Sequence, residues 1–259
     1  MLAPDQEEFY PYYEDTVTES DWHVVAIHYL LGALRAHFAE RPDAWAFSNM
    51  FVYDQPGNRD RKVSPDVFVA FGCSHEKRRV FRTWLDGGPP VAVFEVTSRT
   101  SRKTDQHAKR IRYSEMGVQE YFLFDPLGEY LPGQFRVYRR EGQELVPVVT
   151  QGSYRSELLG LDIVVEREFL RLVNLTTGAP YLSIEEARSI VMAERERAEA
   201  ERERAEAERE RADAERERAD AERERAVAER ERTDAERLRA EALEEQVRQL
   251  QQRLDQLGG

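Results

Sequence analysis

From Ala193 the chain repeats AERERAE, AERERAE, AERERAD, AERERAD, AERERAV and AERERTD, seven residues at a time and built almost wholly from Ala, Glu, Asp and Arg. Such a segment has no side chains with which to make a core, and its high intrinsic propensities predict a solvated helix. The period of seven suggests a coiled coil, yet the alanines at 198, 205, 212, 219 and 226 and at 200, 207, 214, 221 and 228 stand two and five apart. An a/d seam needs spacings of three and four. What the repeat supplies is ion pairing, as in Arg197 to Glu201 and Glu201 to Arg204, each pair contributing roughly 0.2–0.5 kcal/mol. It serves as a spacer or as a surface for a partner. A seam emerges only at the end, where Ala240, Leu243, Val247, Leu250, Leu254 and Leu257 alternate three and four. That predicts a weak homo-oligomer through residues 240–257. One continuous helix from about Ile184 to Leu257 would be on the order of 110 Å long at the α-helical rise.

Every Trp, Tyr and Phe lies before this tail, so the core must lie there too. Two domains are expected, a head over 1–182 and a long charged helix over 183–259 with its short seam at 240–257. The whole chain carries a formal net charge of -12, but 24 acidic and 17 basic residues fall between Ser183 and Gly259, leaving 26 and 21 for the head. Coating of nucleic acid or anionic membrane through bulk positive charge is excluded, and any basic site must be local. One cysteine, Cys73, rules out an intramolecular disulfide framework and a cysteine-rich zinc site. No apolar run approaches the ~20 residues of a membrane span, and the start MLAPDQEEFYPYYED lacks a secretory pattern. A cytoplasmic protein is the expectation.

In the head, Val24, Ile27, Leu31, Leu34 and Phe38 recur at helical spacing behind Ser20 or Asp21 as N-cap. After Pro42 three β-rich runs follow, Ala46 to Tyr53, Val63 to Phe71 and Val91 to Thr97, separated by Gly and Pro turns. Helical periodicity returns from Ser101 to Met116 and stops at Gly117, a good residue for a left-handed C-terminal cap. The apolar strand Glu120 to Phe124 comes next, then Phe135 to Arg139 and Leu145 to Val149 about a turn at Glu141-Gly142. This order predicts an α/β (α+β) fold with a mixed sheet and helices packed on it.

Chemistry is suggested first by Glu95, the one charge in the run Val91-Ala-Val-Phe-Glu-Val-Thr-Ser. Period two puts it on the face of Val93 and Thr97, where an ionised carboxylate is costly unless it is paired or bound to metal. Asp66, in Val63-Ser-Pro-Asp-Val-Phe-Val, is a second acid in an apolar run. If the two converge they could hold Mg²⁺ or Mn²⁺, hard cations that take oxygen ligands. Otherwise Asp66 is an edge residue and Glu95 pairs with an arginine. Between Arg99 and Arg112 lie six basic residues and one acid, with Asp105 and Lys109 four apart and Arg102 and Arg112 on their face. A basic helix beside two carboxylates suits metal-assisted phosphodiester hydrolysis, while Asp105 with Lys109 could equally be a surface ion pair.

Taken in order, Val-Ser-Pro-Asp66-Val-Phe-Val, Val-Phe-Glu95-Val-Thr-Ser, Asp105 with Lys109, Tyr113, Gly117-Val and Glu120-Tyr-Phe-Leu-Phe-Asp125-Pro resemble the Uma-two family of restriction endonucleases, within the PD-(D/E)XK nuclease superfamily. The resemblance spans roughly residues 15 to 165. It implies a restriction-endonuclease-like αβββαβ core, a Mg²⁺-dependent (or Mn²⁺-dependent) DNA endonuclease, Asp66 and Glu95 as metal ligands and Lys109 as the catalytic lysine. The superfamily's usual lysine stands two residues after the glutamate, where this chain has Thr97. Related nucleases often place a further acid on the first helix, which makes Glu19 an outer ligand or simply a residue of the first helical turn. Arg99, Arg102, Lys103, Arg110 and Arg112 would bind nucleic acid. The five histidines show no zinc spacing, and Asn49, Tyr53 and Tyr113 read as core or rim. The rival class is an inactive domain of the same fold that binds or scaffolds through its helical stalk.

Overall fold

The computed structural model describes residues 21–97 and 104–257. The chain divides into two units, 1–188 and 189–259. The first is built on a six-stranded mixed sheet in the order β1-β4-β6-β7-β8-β9, from β1 (Ala44–Ser48), β4 (Val67–Phe71), β6 (Ala92–Val96), β7 (Glu120–Phe124), β8 (Phe135–Glu141) and β9 (Glu144–Val148). Within this sheet β6 and β7 pair in parallel and the other described neighbours are antiparallel. Helix α1 (Asp21–His37), β1, β4, β6, α2 (Arg110–Met116) and β7 follow one another in the αβββαβ order. Parallel pairing of β6 and β7 requires a crossover, which the segment containing α2 provides.

Strand β6 is buried along its whole length, so the two faces of the sheet carry separate cores. On one, Ala92, Phe94 and Val96 pack with Ile27, Leu30, Leu34 and Phe38 of the first-helix region. Leu161, Ile163, Leu170 and Leu172 join them, from a second sheet of β10 (Ser153–Ser156), β11 (Leu161–Glu166) and β12 (Phe169–Asn174). On the other face Val93 packs with Phe68, Tyr113, Tyr121 and Leu123. Each such large side chain contributes about 1.5–3 kcal/mol when fully buried.

Several elements differ from expectation. Ala46 to Tyr53 is two strands, because Asn49 adopts φ 48 and ends β1 before β2 (Val52–Tyr53). Val63 to Phe71 is also two, β3 (Lys62–Val63) and β4, with Ser64-Pro65-Asp66 between them. Asp66 therefore precedes its strand rather than lying in it, since Pro65 has no N–H for a ladder. Strands β3, β2 and β5 (Phe81–Arg82) form a small sheet of their own. Sequence reading missed β5 and all of β10 to β12, whose short runs lack clean alternation. The described part of the basic helix opens with a π-helical turn, Thr104–Lys109, before α2. Gly117 closes α2 with φ 102, its N–H bonded to the carbonyls of Tyr113 and Ser114. Gly87, at φ 115, is needed for another reason: a Cβ there would lie 2.7 Å from the backbone of Gly72.

Helix α3 (Ile184–Leu257) begins in the first unit with a capping box. Ser183 donates its N–H to Glu186 Oε2 at 2.7 Å and its Oγ accepts the Glu186 N–H at 3.1 Å. In the second unit the repeat is helical and exposed. Pairs such as Arg232–Glu236 and Asp234–Arg237 run along it at 3.5 and 3.7 Å. Among the described residues no helix is long and apolar enough to cross a membrane.

Candidate active site

Glu95 sits in the middle of a strand paired on both sides, 1% exposed, among apolar neighbours. Its charge is compensated from the following helical segment. Lys109 Nζ donates to Oε2 at 2.7 Å and Tyr113 OH donates to Oε1 at 2.5 Å. Lys109 ends the π-helical turn and Tyr113 lies four residues on, so both reach the same side of the helix. Burial first, and then the charge of Glu95, pushes the Tyr113 phenol well above its ordinary range, with Asp66 adding a smaller effect. Tyr113 is therefore a fixed O–H donor.

Asp66 comes to Glu95 through strand register. Val67 of β4 faces Phe94 of β6 and Phe68 faces Val93. Continuing the ladder by one residue sets Asp66 opposite Glu95, on the face that carries Phe68 and Val93. The Asp66 carbonyl accepts the N–H of Asn49 at 3.2 Å. Its Oδ2 accepts the Val96 N–H at 2.7 Å, pinning the carboxylate to the central strand. Oδ1 lies 3.6 Å from Nε2 of His23, a buried residue in the first turn of α1.

Thr97, where the resemblance's usual lysine would be, is buried and engaged elsewhere. Its N–H and Oγ1 both donate to the Phe124 carbonyl, at 2.7 and 3.2 Å, extending the β6–β7 contact. Lys109 is thus the lysine at this glutamate, arriving from fourteen residues downstream. Asp125 is also structural: its carboxylate accepts the N–H groups of Gly128, Tyr130 and Leu131 and shapes the turn after β7.

This arrangement is found in a chain whose residues 4–170 match the family model described as "Uma2: Putative restriction endonuclease". The chain belongs to the Uma2 family. A solved structure titled as a putative nuclease belonging to DUF820, from Anabaena variabilis, is similar at 16% identity over 57% of this chain and 81% of that one, with a TM-score of 0.43. No curated protein matches. Family membership supports a nuclease-type function for this Uma2 chain.

Of the basic residues expected to bind nucleic acid, Arg99, Arg102 and Lys103 lie outside the described residues, as does Glu19. Arg110 donates to the Leu145 carbonyl at 3.4 Å and lies 5.3 Å from the centre of the Tyr138 ring. Arg112 grips Asp54 with both Nη atoms, at 2.5 and 2.7 Å, and Arg61 joins Asp54 at 2.9 Å and Glu115 at 2.9 Å. Burial alone would push the Asp54 carboxyl up, but hydrogen bonds from Arg112 and Arg61 hold it below its ordinary value. A cleft of about 600 Å³ between α2 and the β8–β9 hairpin, lined by Arg110, Ser114, Glu115, Arg140 and Leu145, contains none of Asp66, Glu95 or Lys109. Sequence reasoning missed His23 and Tyr113 as neighbours of the two acids. For Tyr113 the signal was present, since it stands four residues after Lys109.

The donors suit a hard divalent cation: two carboxylates, one anchored through Oδ2 and one held by a lysine and a phenol. Among the described residues no group of three or more His, Cys, Asp or Glu is placed to hold a metal ion.

Proposed function

We propose that this Uma2 chain is a metal-dependent DNA endonuclease that hydrolyses phosphodiester bonds. The observation that carries the reading is the Lys109–Glu95 contact, 2.7 Å, on the face of the sheet to which register brings Asp66. Asp66 and Glu95 would hold Mg²⁺ or Mn²⁺, which when bound supplies Lewis-acid stabilisation of the phosphate and a more acidic water. Lys109 moves from Glu95 to orient the attacking water and to offset negative charge growing on the phosphate. Tyr113 keeps the Glu95 carboxylate in one rotamer as Lys109 leaves. Arg99, Arg102 and Lys103 would add phosphate contacts from the segment preceding the helix.

A test uses supercoiled plasmid and the full chain with Mg²⁺ or Mn²⁺. Nicking should stop with chelator and disappear in Asp66→Ala and Glu95→Ala proteins that keep their circular dichroism spectra. Cutting that persists in both variants would overturn the assignment. The second reading, an inactive domain that binds or scaffolds, is favoured by one observation: both Glu95 oxygens already accept hydrogen bonds. It predicts no cutting of any nucleic acid under any metal. The stalk's role is separate. Leu243, Val247 and Leu250 are exposed in the single chain, so truncation at Ala240 should remove a weak, concentration-dependent self-association seen by light scattering.

A further inference from the structure

A second basic set lies away from α2. Strands β3, β2 and β5, with the loops around them, carry seven Lys and Arg (Arg59, Arg61, Lys62, Lys77, Arg78, Arg79, Arg82) against five acids (Asp54, Asp60, Asp66, Glu76, Asp86). Arg61 pairs with Asp54, and Arg78 and Arg82 pair with Asp86, and a local excess of two positive charges contrasts with a chain whose net charge is -12. We infer that the exposed loops flanking this small sheet are the surface on which duplex DNA rests as it enters the site. The inference deepens the nuclease reading and rests on it.

Position is the first argument. From β3 the chain runs through Ser64 and Pro65 directly into Asp66. Asn49, just before β2, donates its N–H to the Asp66 carbonyl. Strand β5 is joined to β2 in parallel, Val52 facing Phe81 and Tyr53 facing Arg82. All three strands are therefore fixed to the backbone of one proposed metal ligand.

The second argument is which side chains share a face. Register aligns Lys62, Tyr53 and Arg82 in one row across the sheet, and Val63, Val52 and Phe81 in the next. Val63, Val52 and Phe81 pack into the core beside Val93 and Tyr113. On the other row Tyr53 is buried in a second small cluster with Phe51, Val80 and Trp84, and Lys62 and Arg82 flank it half-buried. Lys62 lays its ammonium 4.4 Å from the centre of the Phe51 ring, a cation–π contact at the edge of the cluster. Arg59, Lys77 and Arg79 are exposed in the flanking loops.

Rigidity is the third. Asp54, next to β2, takes Arg112 of α2 and Arg61 of the loop together, and Arg61 also reaches Glu115 of α2. The same ion pairs that occupy Arg112 hold this sheet to the helix carrying Tyr113. A phosphate backbone held by the exposed Arg59, Lys77 and Arg79 of the flanking loops would be guided to Asp66, while the acidic balance of the rest of the chain repels it elsewhere.

The test is fluorescence anisotropy of the full chain with a labelled duplex, in Ca²⁺ to prevent cutting, over a salt series. The Arg59→Ala/Lys77→Ala/Arg79→Ala variant should bind on the order of tenfold more weakly at low salt. Its slope of log affinity against log salt should fall by roughly 2–3, near 0.9 for each phosphate no longer neutralised. An Arg139→Ala/Arg155→Ala control, from exposed pairs elsewhere on the head, should bind as wild type. Unchanged affinity and slope in the triple variant, with wild type still cutting plasmid, overturns this surface and leaves the nuclease reading intact. A wild type that neither binds nor cuts overturns both. Tighter binding of single-stranded RNA than of duplex DNA overturns the choice of partner.

Discussion

Two clusters of buried charge in the first unit are built in opposite senses. At Glu95 the acid is buried, 1% exposed, while its cation Lys109 is 21% exposed. At Arg171 the cation is buried, 9% exposed, while Glu186 and Glu166 are 41% and 56% exposed. Arg171 spans Glu166 Oε2 at 2.7 Å and both oxygens of Glu186 at 2.8 Å, donates to the Tyr181 carbonyl, and lies over the rings of Tyr29 and Phe169. A guanidinium does not lose its proton, so this is a permanent clamp between β12 and the first turn of α3. The glutamate cluster differs because its cation sits on the accessible side. In the proposed nuclease, Lys109 would leave and the carboxylate would become a metal ligand. On that proposal buried charge marks chemistry in one place and anchoring in the other, and what separates them is which partner stays inside.

That distinction can be broken by mutation, and the largest effect should come at Glu95. Replacing it with Gln keeps the shape but removes the charge and leaves one oxygen to accept where two did. Cleavage should fall by on the order of 10²–10³-fold, the scale of losing one electrostatic group from a site, while about 1–3 kcal/mol of stability goes with the lost acceptor. A large stability loss with cleavage retained would make Glu95 an anchor like Arg171.

Arg171→Met should do the reverse. Charged hydrogen bonds of about 1.5–3 kcal/mol each are lost there, but the freed glutamates return to water, so about 1–3 kcal/mol of unfolding free energy should disappear. Cleavage well below the melting temperature should be unchanged. Loss of activity in a folded Arg171→Met protein would show that the clamp also serves the site.

A smaller effect is expected from Tyr113→Phe. It removes one of the two donors to Glu95 and leaves the lysine. Binding of Mn²⁺, followed by electron paramagnetic resonance, should weaken several-fold, and about 1 kcal/mol of stability should go with the hydrogen bond. If Mn²⁺ affinity is untouched, Tyr113 is a packing residue only.

The smallest effect is on pH dependence. Hydrogen bonds from Arg171, and then the Ser183 N–H, hold the Glu186 carboxyl below its ordinary value of 4.5. A lowered folded-state value gives stability that is complete above the unfolded value and is lost as pH falls through the folded one. Wild type should therefore lose slightly more stability below about pH 4.5 than Glu186→Gln does, with the discount due to a carboxylate open to solvent. Parallel pH curves for the two proteins would remove Glu186 from the clamp.

Local pattern by itself determined a good deal of this protein. Propensity and the lack of large apolar side chains in the repeat made it a solvated helix, part of the one that runs from Ile184 to Leu257. Period-two facing put Glu95 with Val93 and Thr97, and Gly117 ended the helix before β7. These features depend on neighbours two to four residues away, which a sequence states directly. Tertiary structure decided the rest. Thr97 turned to Phe124, Arg112 went to Asp54 rather than to solvent, and His23 came within 3.6 Å of Asp66 across 43 positions of sequence. Each outcome depends on strand register and on which helix face meets which sheet, and those are settled by packing the two cores together. No local periodicity encodes them, because one residue of slip in β4 against β6 would have sent Asp66 and Glu95 to opposite faces.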